Sequence, residues 1–158
     1  MVIRPILLAV ACLSLANPGN CLTPEINDIE QVIENVVGTK VYWSRKDPEC
    51  KSNKEGWVTY GFYDPSRNII IMCQYNNYMN NSGILETLKH EGWHAVQHMC
   101  NNYRAALTDE QIRPHLHSDD KHSLRHGYHP KQHRAEAEAR VVEQIPTRNW
   151  IKGVREYC

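Results

Sequence analysis

Residues 84–99 read Ile-Leu-Glu-Thr-Leu-Lys-His-Glu-Gly-Trp-His-Ala-Val-Gln-His-Met. Leu85, Leu88, Ala95, Val96 and Met99 recur at helical spacing, so the stretch is an amphipathic helix with Asn81-Ser82 available to cap it. Inside it lies His90-Glu91-Gly92-Trp93-His94, an HExxH motif. Residues i and i+4 share one helix face, so both imidazoles can reach one metal ion. Glu91 sits about 100° further round the helix. From there it can take a proton from a water that the ion activates. Two neutral histidines and one anionic ligand would leave a coordination position open for that water.

The third ligand has to come from elsewhere. A motif extended along the same helix would need Gly at 97 and His at 100, and the chain has Gln97 and Cys100. His98 lies one further turn on. Ligation by His90, His94 and His98 together would spread about 12 Å along one straight helix. That does not converge on one ion, so His98 reads as a surface residue or a support for the ligands. The remaining candidates are the acids of Glu136-Ala137-Glu138-Ala139-Arg140, within a run of strong helix formers over 131–145.

HEGWH followed, 42 residues after His94, by this ExEA segment resembles the gluzincin group of zinc peptidases. In that group a glutamate on a second helix completes the site as the first acid of an ExxA or ExEA run. The resemblance implies that His90, His94 and Glu136 bind one zinc ion and that Glu91 is the general base. Glu138 falls two positions away, on another face. Arg140 stands where the group carries an acidic or amide residue. His90 to Gln97 is also similar to the HExxHxxQ variant of small exported metallopeptidase-like proteins. The likeness spans residues 69–144. It implies a zinc-dependent hydrolase, a peptidase acting on a peptide or protein substrate, and names no particular substrate.

Outside that core the sequence sets further limits. With 18 basic and 18 acidic residues among 158, the net charge is zero, which argues against nucleic-acid or anionic-membrane binding by bulk electrostatics. Residues 1–16, MVIRPILLAVACLSLA, read as a signal peptide: Arg4, an apolar run, then small residues before a cut after Ala16. The run is too short to span a bilayer. The mature chain, 17–158, is expected to be one secreted or periplasmic domain with no integral membrane segment. Cys21, Cys50, Cys73, Cys100 and Cys158 then suggest two disulfides and one odd thiol, with Cys50 or Cys73 as the partner of Cys100.

The expected fold is α+β: a small antiparallel sheet packed on the HExxH helix and on a second, ligand-bearing helix. Thr23-Pro24-Glu25 opens a helix whose apolar positions run Ile26, Ile29, Ile33, Val36 and Val37 before Gly38. Val41-Tyr42-Trp43 is a short strand. Trp57–Tyr63 and Ile69–Cys73 flank Asp64-Pro65-Ser66-Arg67-Asn68 as a hairpin. Ile69–Cys73, just before the HExxH helix, is either a buried core strand or a strand that pairs with substrate. Trp93 is expected to pack under the sheet. A helix begins at Thr108-Asp109-Glu110, and Asn149–Cys158 forms a last short one.

Six histidines, His115, His117, His122, His126, His129 and His133, crowd the segment between Pro114 and His133, which reads as loop. They suggest a second metal site, or a group (Tyr128 included) that reaches the zinc site to stabilise an oxyanion, or merely a solvated surface. A non-catalytic protein that binds or sequesters metal is the rival reading. The sequence does not address the oligomeric state.

Overall fold

The computed structural model describes residues 23–51, 58–74 and 81–158. The signal-peptide reading of 1–16, with Cys12 and Cys21, lies outside the described residues, as does Trp57.

The first helix, α1 (Pro24–Val32), starts at Thr23, whose hydroxyl accepts from the Ile26 N–H at 3.4 Å, with Pro24 in its first turn. It runs on as a π-turn over Ile33–Val37 and stops at Gly38, which takes the left-handed conformation (φ 78). Ile26, Ile29, Val32, Ile33 and Val37 are buried. The wider π-turn shifts the phase of the stripe, so Val36, expected on the buried face, is 37% exposed.

Strand β1 (Lys40–Ser44) follows, then the hairpin of β2 (Gly61–Asp64) and β3 (Ile69–Cys73). The turn between them is built on Asp64, whose carboxylate accepts from the Ser66 and Arg67 backbone N–H groups and pairs with the Arg67 guanidinium at 2.5 Å. Asn68 closes it with a left-handed backbone. The α+β class holds, but the sheet is mixed: its order is β1-β3-β2, with β2 antiparallel and β1 parallel to β3. The continuous apolar run of β3 explains this. Ile70 to Cys73 are all buried, which suits a strand covered on both faces and paired on both edges. The central position removes β3 as a substrate-pairing strand, because neither edge of its backbone is free. The outer edges of the sheet belong to β1 and β2.

Helix α2 (Asn81–Met99) carries HExxH and runs through the core. Trp93 does not go under the sheet. It packs edge-on against Trp150 (6.4 Å) and Tyr157 (5.8 Å) of α6 (Thr147–Tyr157). Gly92 allows α1 and α6 to approach: a Cβ there would lie 2.8 Å from Ile33 Cδ1 and 3.0 Å from the Trp150 ring.

The short α3 (Asp109–Ile112) precedes the histidine-rich segment, which is not the loop that its sequence suggests. Residues Ser118–Gly127 form α4, with acids in the first turn, Arg125 and His126 in the last, and the Asp120 carboxylate accepting from the His117 N–H. Helix α5 (His133–Glu143) packs along α2.

Two disulfides join Cys50 to Cys73 and Cys100 to Cys158. The pairing expected for Cys100 is thereby corrected: α6 returns Cys158 to the end of α2, with Cα atoms 5.0 Å apart, while Cys73 at the end of β3 meets Cys50. Disulfides fit an oxidising compartment. Among the described residues, no helix is long and apolar enough to cross a membrane.

Candidate metal centre

His90 and His94 project from one face of α2 towards α5, as their i, i+4 spacing requires, and Glu136 meets them from the first turn of α5. The Nε2 atoms of the two histidines are 3.2 Å apart; Glu136 Oε2 is 3.4 Å from His90 Nε2 and Oε1 is 3.3 Å from His94 Nε2. Ligands about 2.05 Å from a tetrahedral zinc are separated by about 3.3 Å. The three groups therefore stand at the spacing of neighbouring ligands on one ion, the carboxylate meeting the two nitrogens through different oxygens. Glu136 Oε2 is buried and, apart from its ion-pair contact with His90 Nε2, has no hydrogen-bond partner, so it is available to an ion. Only 13%, 17% and 12% of the three side chains is exposed. Among the described residues this is the one group of His, Cys, Asp or Glu side chains whose ligand atoms converge, and it could hold a metal ion.

The far nitrogens of the imidazoles are occupied. His90 Nδ1–H donates to Glu143 Oε2 at 2.6 Å, and His94 Nδ1–H donates to Gln97 Oε1 at 2.9 Å. Each bond fixes a tautomer that turns the Nε2 lone pair towards the ion. Glu143 was not singled out from the sequence, although it lies seven residues, two turns, after Glu136 on the same helix face. It supplies the carboxylate that Arg140 does not. Arg140 instead reaches Asp120 (3.3 Å) and Ser123 (3.2 Å) of α4, with its guanidinium over the Tyr128 ring.

Glu138 is not part of the group. It is fully buried behind it, accepting from the Ala106 and Leu107 N–H groups (2.8 and 2.7 Å) and from Gln97 Nε2 (2.8 Å). Gln97 thus bridges His94 to Glu138, the physical content of the glutamine in HExxHxxQ. Replacing Glu138 by Ala strands the Ala106 and Leu107 N–H groups and leaves Gln97 Nε2 only its bond to Ala135 O. The expected cost is about 3 kcal/mol, read as a lower midpoint in chemical denaturation.

Glu91 lies beside the group with Oε2 accepting from the Tyr63 N–H of β2 at 2.8 Å. Burial raises its pKa, against the pull of His90 and His94. Without an ion, burial works to lower His90, but Glu136 and Glu143 override it and push the imidazole up to about 10. His94 is raised likewise, chiefly through Glu136 against the effect of burial. Burial acts to raise Glu136, yet the two histidines hold its carboxyl down to about 2. An ion must therefore displace a proton from His90. Its affinity is expected to fall about tenfold or more for each pH unit between 8 and 6. Competition with a chromophoric chelator at the two pH values measures this.

The histidine-rich segment does not add to the group. His122 and His126 face each other on the exposed side of α4, ring centroids 4.4 Å apart, and His133 Nε2 bonds to Tyr128 O. Among the described residues none of the six segment histidines joins a second group of three ligands.

Beside the centre opens a cleft of about 280 Å³, lined by His94 and Glu136 together with Tyr63, Pro65, His98 and Tyr103. His98 supports no ligand. Its Nδ1 meets the Tyr63 hydroxyl at 2.5 Å, and its ring lies against Tyr103 at 4.2 Å.

No curated protein and no solved structure matches the chain. Residues 23–158, which include the whole of this centre, match the model of a domain of unknown function, DUF8637, and the chain belongs to that family.

Proposed function

We propose that the protein is an exported, zinc-dependent hydrolase that cleaves peptide bonds. The observation that carries the reading is the convergence of His90, His94 and Glu136, with a buried carboxylate oxygen that has no hydrogen-bond partner, next to a carboxylate that is not needed as a ligand. His90, His94 and Glu136 would hold the zinc. The ion supplies a Lewis acid and a water made acidic enough to deprotonate near neutral pH.

The remaining work falls to the protein. Glu91, anchored through Oε2 by the Tyr63 N–H, keeps Oε1 for a proton taken from the attacking water and passed to the leaving amine. Its raised pKa suits both halves of that cycle. Glu143 and Gln97 hold the imidazoles in register. The cleft beside His94 and Glu136 gives substrate a place to lie. The two disulfides favour an extracytoplasmic setting, in keeping with the leader-like residues 1–16.

A non-catalytic metal-binding protein would use the same three ligands and would need Glu91 only as an acceptor for the Tyr63 N–H. Removal of zinc with a chelator is expected to abolish cleavage of a denatured protein substrate, and one equivalent of zinc to restore it. Cleavage that is indifferent to the chelator would overturn the reading.

A further inference from the structure

The cleft contains a feature that the reaction at the metal centre does not explain. After α2 ends, Asn102 and Tyr103 both take left-handed backbone, with φ of 51 and 62. One such residue is enough to stop a helix, and asparagine accepts it readily. Tyrosine does not, so the second is a strained choice of the kind found where geometry serves a site. The turn is held by the Tyr103 N–H donating to Gln97 O at 2.7 Å and by the disulfide at Cys100. Its effect is to lay the Tyr103 ring on His98 at the mouth of the cleft, while the tyrosine itself stays 69% exposed.

His98 is fixed in turn by the Tyr63 hydroxyl, which also bonds to Asn68 Oδ1 at 3.0 Å. Tyr63, His98 and Tyr103 therefore form an aromatic wall of the same cleft that His94 and Glu136 line. Among the described residues the lining has no lysine, arginine or aspartate, and its one carboxylate, Glu136, is committed to the ion in the hydrolase reading, so no group is left over to answer a charged side chain. A volume of about 280 Å³ suits one large side chain rather than a drug-sized ligand.

We propose that this cleft is the pocket for the residue next to the bond that is cut, and that it selects an uncharged aromatic side chain, gripped by Tyr103. The inference rests on the hydrolase reading for its setting, but the pocket can be tested apart from turnover. The probes are N-acetylphenylalaninamide and N-acetylglycinamide, titrated into ¹⁵N-labelled, zinc-loaded Glu91→Gln protein. The phenylalanine amide is expected to move the Gln97, His98 and Tyr103 resonances and to bind about tenfold or more tightly than the glycine amide. Tyr103→Phe should keep the preference, and Tyr103→Ala should reduce it to about twofold. Equal affinity for the two amides, shifts confined to other residues, or a preference untouched by Tyr103→Ala would overturn the pocket. Peptide cleavage by the wild type without regard to aromatic residues would also overturn it and leave the hydrolase reading standing. Wild-type protein that cleaves nothing, yet shows the amide preference, would sink the hydrolase reading and leave the pocket.

Discussion

Glu91→Gln is expected to retain one zinc per chain and to cleave peptides about 10²- to 10⁴-fold more slowly than the wild type. The amide keeps the shape of the side chain and can still accept from the Tyr63 N–H, 2.8 Å away in the native protein. It cannot take a proton. Because Glu91 is not among the three converging ligands, metal content should not change. A kcat loss with unaltered zinc stoichiometry and unaltered melting temperature would separate base from ligand. Unchanged turnover would remove Glu91 from the chemistry.

The second large effect is expected at Glu136. Its oxygens stand 3.3 and 3.4 Å from the two histidine nitrogens, and it is the only anion in the group. Glu136→Gln leaves two imidazoles and a neutral oxygen, and zinc affinity should fall by more than about a hundredfold, beyond the usual loss from a supporting residue. Stability should follow. Free zinc at a thousand times its dissociation constant stabilises the folded wild type by about 4 kcal/mol, and at the same zinc concentration this increment should fall below about 1.4 kcal/mol in the variant. Glu138→Gln keeps a buried carbonyl oxygen facing the Ala106 and Leu107 N–H groups; its amide then opposes the Gln97 Nε2 donor, but no ligand is removed, so zinc affinity should fall by no more than about tenfold. Thermal scans with and without zinc on the two variants would show whether the first acid or the second is the ligand. A zinc-induced rise in Glu136→Gln equal to that of the wild type would contradict the assignment.

The helix bearing HExxH was legible because two signals agree there, an apolar stripe and a spacing of four between the histidines. The same holds for α1 and its Thr23-Pro24 start, and for the Asp64–Asn68 turn, whose chemistry is local. What was not legible is non-local. The parallel pairing of β1 with β3 depends on residues 29 positions apart, such as Lys40 and Ile69. The bridge from Cys100 to Cys158 spans 58 residues and depends on where α6 packs. Helix α4 was hidden by its composition: Leu124 is its only buried residue, and Arg140 of α5 ties it down through Asp120 and Ser123. At the centre, Glu136 and Glu138 look alike in E-A-E-A-R. Two positions apart on a helix point about 200° away from each other. One carboxylate therefore faces α2's histidines, and the other turns back to the 106–107 backbone.

Diffraction from crystals of the zinc-loaded protein, recorded on both sides of the zinc absorption edge, gives the most direct view of the centre. The expected result is one strong anomalous peak about 2.0–2.2 Å from His90 Nε2, His94 Nε2 and a Glu136 oxygen. A peak against Glu138 or the α4 histidines, with none between His90 and His94, would contradict it.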